Sequence, residues 1–178
     1  MAIILEYKGK KPKIGKNVFL AENAVVIGDV EIGNNANIWY GCVIRADVNY
    51  IRIGENTNVQ DGSVIHVGSK DGPTIIGNNV TIGHMCLLHA CHISNNAFIG
   101  MHSTILDYAK IGEYSLIGAK SLVTMNKNIP DFEMWYGNPI KKQKDIDDDL
   151  KKMIDERWGE YVKLAGEYLN SVNKNTQL

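Results

Sequence analysis

The run Ile76-Gly77-Asn78-Asn79-Val80-Thr81-Ile82-Gly83-His84-Met85-Cys86-Leu87-Leu88 sets an aliphatic residue at every sixth position. Read outward, the count continues in both directions. Upstream, beyond a five-residue insertion, it passes through Ile65, Val59 and Ile53, and beyond a three-residue insertion through Ile44, Ile38, Ile32, Val26, Leu20 and Ile14. Downstream, one residue short of frame, come Ile93, Ile99, Ile105, Ile111, Ile117 and Val123. Glycine often follows the slot, as at Gly15, Gly33, Gly54, Gly77, Gly83, Gly100, Gly112 and Gly118, and asparagine pairs often follow in turn (Asn34-Asn35, Asn78-Asn79, Asn95-Asn96).

A helix repeats at 3.6 and a strand at 2, and neither sustains one apolar residue in six over such a length. A short strand followed by a tight corner does, with glycine and asparagine accepting the left-handed backbone a corner needs. Three such sides close a triangular coil of about eighteen residues with the slots pointing inward. About six coils stacked roughly 4.8 Å apart pair every strand above and below. The expected class is therefore an all-β parallel β-helix over residues 1–140, followed by a connecting segment and helix over 141–178. Asn126 to Lys144, with Pro130 and Pro139, reads as a connecting loop. A helix is predicted to start near Asp145 to Asp149, where acids suit the positive end of the helix dipole. Its apolar stripe (Ile146, Leu150, Met153, Ile154, Trp158, Tyr161, Leu164, Ala165, Tyr168) predicts packing on the outside of the prism. That helix is expected to cover the open edge of the last coil or to brace a neighbouring subunit, and to fray after Asn170.

Composition narrows the function. The 178 residues suit one domain, and a net charge of −1 marks no nucleic-acid binder. No run approaches the roughly 18 apolar residues of a membrane span, and Met1 to Tyr7 lacks the basic leader and cleavage site of a secretory signal. Three cysteines (Cys42, Cys86, Cys91) without a Cys-x-x-Cys pair read as reduced, buried thiols of a cytoplasmic protein.

Four of the five histidines fall between Ile65 and Ile93. His66 follows Ile65 and His89 follows Leu88, so the six-count puts them at one corner in successive coils, about one strand spacing apart. Two imidazoles there can reach one metal ion at about 2.0–2.1 Å. His84 follows Ile82 by two and falls at another corner, out of reach within its own chain. In a threefold assembly, where unlike corners meet, His84 of one chain can complete the site of the next. Three imidazoles with an open fourth position describe a catalytic zinc. The imidazole set also suits Fe2+ or Co2+. His92 and His102 have no stacked partner and read as surface residues.

The Arg45-Ala46-Asp47 step, Asn58-Val59-Gln60-Asp61-Gly62, Val64-Ile65-His66, Ile82-Gly83-His84 and Leu88-His89 resemble the gamma-class carbonic anhydrases over about residues 10 to 140. The resemblance implies a left-handed β-helix and a homotrimer. It implies zinc held by His66 and His89 of one subunit and His84 of the next, catalysing hydration of carbon dioxide to bicarbonate. Arg45 and Asp47 would pair across the subunit contact, Asp61 would join that network, and Gln60 would orient the reacting water. The chain departs from the best-known members in two places. Val48 stands where they carry a glutamate, and the short Gly68 to Thr74 loop, with Asp71 its one acid, replaces a long acidic loop. Proton export is therefore expected to be slow or buffer-dependent. Two other functions fit the fold: a hexapeptide-repeat acyltransferase or acyl-CoA thioesterase, for which Tyr136-Gly137-Asn138-Pro139 and Lys141 are compatible, and a catalytically silent trimeric scaffold clamped by zinc.

Overall fold

Each slot residue points into one continuous core, and the column of slots generates the architecture. The computed structural model describes residues 2–175. On the first face Ile14, Ile32, Ile53, Ile76, Ile93, Ile111 and Ile129 pair in parallel register, coil upon coil. The second face stacks Leu20, Ile38, Val59, Ile82, Ile99, Ile117 and Trp135. The third stacks Ile4, Val26, Ile44, Ile65, Leu88, Ile105 and Val123. The result is a left-handed parallel β-helix of about seven turns, not six, with one C-terminal helix.

Most strands are two or three residues long, because a corner must follow. The two longest, Val25–Ile32 and Val43–Ile53, run round the corner between the third and first faces and join them into one sheet. Gly28 permits that bend: its φ is +82°, and a Cβ would lie 2.1 Å from the Ala46 carbonyl oxygen.

Corner chemistry divides between two positions. The left-handed residue sits three past the slot, at Asn17, Asn35, Asn56, Asn79 and Asn96 on one edge and at Met85, His102 and Lys120 on another. The glycines directly after the slots do not adopt positive φ, contrary to expectation. They are small because a Cβ at Gly15, Gly33, Gly54, Gly77, Gly83, Gly100, Gly112 or Gly118 would come within 2.4–2.8 Å of the next coil. Small residues also fill the inner corners two before the slot, among them Ala36, Cys42, Ser63, Cys86, Cys91, Ala97 and Ser103, all buried. The three cysteines are free.

The segment expected to be a connecting loop carries three strands instead. Asn128–Ile129 and Glu133–Tyr136 complete the last turn, and Lys141–Asp145 folds back antiparallel on Glu133–Tyr136. That strand, and not the helix, covers the edge of the last coil on the second face. The helix α1 spans Asp148–Asn175, past the expected fraying point, and opens on Asp147, whose Oδ1 accepts the Leu150 amide at 2.9 Å. It lies along the second face, where Trp39 packs edge-on against Tyr161 and Tyr168 at 5.5 and 5.2 Å between centroids. Ile154 and Ala165 are buried on its inner side. No helix among the described residues is long and apolar enough to cross a membrane.

Candidate metal centre

His66 ends the strand Val64–His66 and His89 ends Leu87–His89; the two strands pair in parallel, with His89 opposite His66. Their ring centroids are 5.2 Å apart, inclined at 47°. Both rings are braced by carboxylates. Asp47 Oδ1 lies 2.9 Å from His66 Nε2, and Asp107 Oδ1 lies 2.6 Å from His89 Nδ1.

Arg45 and Asp47 project from the long strand Val43–Ile53, two residues apart and hence on one side of it. Within the single chain Arg45 Nη1 meets Asp47 Oδ2. Asp47 thus bridges Arg45 and His66. Burial pushes its carboxyl up, but the hydrogen bonds from His66 and Arg45 outweigh burial and hold it below the usual carboxylate range. The short insertion is tied to the same corner. Thr74 Oγ1 donates to the His66 carbonyl, Asn49 Nδ2 donates to the Lys70 carbonyl, and the Gly68 amide closes on Gly72 at 2.7 Å.

His84 stands at a different edge, in the turn after Thr81–Ile82, and its Nδ1 is 2.9 Å from Asp61 Oδ2. His84 and His89 lie at opposite ends of one side of the prism, on the order of 15 Å apart along extended chain. Among the described residues no group of three or more His, Cys, Asp or Glu side chains of one chain converges on a metal position. The donor set is nonetheless that of a borderline divalent cation: two adjacent imidazoles, each oriented by a carboxylate. One chain offers two such ligands at one edge and a third, similarly braced, at another.

Gln60 is buried beside His84. Its Nε2 donates to Asn58 Oδ1 at 3.0 Å, and Asn58 in turn donates to Thr81 Oγ1 at 2.9 Å, a polar chain sealed beneath α1. This chain engages the amide nitrogen of Gln60 and not its side-chain oxygen, Oε1. Gln60 and His84 also wall a groove of about 400 Å³ between the second face and Tyr161 of α1. Val48 is exposed. Asp107 had escaped the sequence reading, although its signal was available: it lies eighteen residues past His89, one coil further along the rod.

The family model described as bacterial transferase hexapeptide (six repeats) matches residues 11–46. Gamma carbonic anhydrase 2, mitochondrial, of Arabidopsis thaliana is 43% identical over 161 residues, covering 88% of this chain and 58% of the plant protein. The chain therefore spans less than two thirds of that relative's length. A carbonic anhydrase of Geobacillus kaustophilus is 42% identical over 173 residues, covering 97% of this chain and 93% of its own. Among solved structures, a hexapeptide transferase family protein from Anaplasma phagocytophilum superposes with a TM-score of 0.90 at 42% identity, covering 93% of this chain and 98% of that one. With a repeat-family match, a relative aligned over almost its whole length and the paired histidines on one edge, the chain belongs to the gamma-class carbonic anhydrase-like family of hexapeptide-repeat proteins.

Proposed function

We propose that the protein is a metal-dependent carbonic anhydrase that hydrates carbon dioxide reversibly to bicarbonate, working as a cytoplasmic homotrimer. His66 and His89 of one subunit and His84 of the next would hold the ion, zinc in the first instance, with Fe2+ or Co2+ compatible with the same ligands. The observation that carries the reading is the in-register pairing of His66 with His89, each backed by a carboxylate. The names of the Arabidopsis and Geobacillus relatives support it.

The trimer is supported by the face between the two histidine edges. Val64 and Leu87 pair on neighbouring strands there and point outward, 37% and 39% exposed, and Met85 beside them is 58% exposed. An apolar column flanked by ligands at both ends is suited to a second copy of the chain.

When bound, the metal supplies Lewis acidity that makes water a nucleophile near neutral pH. The chain supplies orientation. Asp47 holds the proton of His66 on Nε2 and Asp61 holds that of His84 on Nδ1, so each ring keeps its other nitrogen as a lone-pair donor. Gln60, its amide nitrogen engaged by Asn58, keeps its carbonyl to accept a hydrogen from the attacking water. Arg45 neutralises Asp47 and positions it against His66. Proton export lacks a glutamate at Val48, so turnover should rise with buffer concentration.

The transferase family name of the Anaplasma protein favours one second reading, acyl transfer, in which a carboxylate-backed histidine would act as general base without metal. Stopped-flow hydration on protein of measured zinc content separates the two. Hydration above the buffer rate, lost by at least about 100-fold in His89→Ala, is expected. No hydration at full metal occupancy would overturn the proposal, and acetyl transfer from acetyl-CoA in the metal-stripped protein would replace it.

A further inference from the structure

We infer that Asp107 is a positioning residue that fixes His89 as a metal ligand, an inference that rests on the metal-site reading above. The contact between Asp107 Oδ1 and His89 Nδ1, at 2.6 Å, is the shortest of the three histidine–carboxylate pairs. An ionised carboxylate only accepts hydrogen bonds. Asp107 therefore holds the imidazole proton on Nδ1 and leaves the lone pair of Nε2 to face outward. His84 is held in the same sense by Asp61 through Nδ1, whereas His66 meets Asp47 through Nε2. Each of the three histidines thus has its own carboxylate from an adjacent coil: Asp47 and Asp61 from the coil before, and Asp107 from the coil after.

Its placement is rigid. Asp107 sits at the corner after Ile105; the next amide, Tyr108, donates to the Ala90 carbonyl at 2.7 Å, and the Asp107 carbonyl accepts from Asn126 at 2.9 Å. The Asp107 side chain is 27% exposed against 43% for Asp61, so solvent screens it less. Gly68 borders it: a Cβ there would lie 3.7 Å from Asp107 Oδ2 and 3.3 Å from Ala90 Cβ. The alternative duty, bracing the Gly68 to Thr74 loop, is already discharged by Thr74, Asn49 and the Gly68–Gly72 bond.

The test is a titration of cobalt(II) into metal-stripped protein, in competition with a chelator, with visible absorption recorded alongside. Asp107→Ala is expected to weaken cobalt binding by about 10–100-fold and to change the cobalt spectrum, while the melting temperature of the metal-free protein stays at the wild-type value. Asp107→Glu should restore part of the affinity. Wild-type affinity and spectrum in Asp107→Ala would overturn the inference and leave the metal site standing. A fall in metal-free stability with no rescue by Asp107→Glu would overturn it in favour of a structural role. Failure of the wild type to bind cobalt, or binding unaffected by His89→Ala, would remove the metal-site reading itself and the inference with it.

Discussion

A histidine or a cysteine in this rod acquires its role from its distance to the nearest slot. Cys42, Cys86 and Cys91 stand two before a slot, where their neighbours along the stack are alanine, serine and threonine. There burial pushes the thiols up from 9.0 to about 11, about 11 and about 12. The folded state consequently keeps protons that the unfolded chain releases above pH 9. The contribution of these groups is complete below that value and is lost as pH rises from 9 towards 12. The melting temperature should fall over that window, and Cys91→Ala should lessen the alkaline fall relative to its own value at pH 7. A disulfide reagent at pH 8 should titrate the thiols only after denaturation. The His66–His89 pairing was legible because it needed only counting. Asp107 was harder to see, because its side chain reaches back to the preceding coil and a count of main-chain phase does not report that reach.

At the scale of one edge, asparagines stitch the coils together. Asn17, Asn35, Asn56, Asn79 and Asn96 each hand a side-chain hydrogen bond to the next coil, and the ladder ends on Glu113. Each also holds a left-handed backbone. Asn79→Ala removes two ladder bonds and leaves in the left-handed corner a side chain with no polar group to offset the strain, so it should cost about 2–3 kcal/mol in urea unfolding. Asn79→Gly keeps the backbone relaxed and should cost about 1 kcal/mol less than alanine. Equal losses would assign the whole effect to the side chain. These asparagines were legible as corner residues, whereas the slot glycines were assigned the wrong reason, since close approach of a neighbouring coil is invisible within one coil. The last turn was missed for a related cause. Trp135 fills a slot where an aliphatic residue was sought, and Pro130 read as part of a loop when it follows the slot Ile129.

For the whole molecule, the proposed trimer would rest on the apolar column of the third face. Leu87→Lys removes no core contact, because Leu87 already points to solvent in the single chain. The variant should keep the circular dichroism of the parent while its sedimentation mass drops from trimer to monomer, and its cobalt affinity should fall with the loss of the neighbour's His84. An unchanged mass would move the subunit contact to another face. Pro130 has a consequence at this scale. In earlier coils the residue after each first-face slot donates its amide to the coil beyond, as Gly77 does to Ile93 and Gly112 to Ile129. Proline has no such hydrogen to give. The second face is closed by Lys141–Asp145, and the third by Leu122, whose amide and carbonyl are taken up by Gly137 and Ile140. A stack of identical rungs has no natural length, and copies could otherwise add end to end into a fibre. Here the far terminus offers no intact parallel rung, since Pro130 lacks an amide hydrogen, Leu122 is already bonded and an antiparallel strand stands on the second face, so a further copy meets a mismatched template.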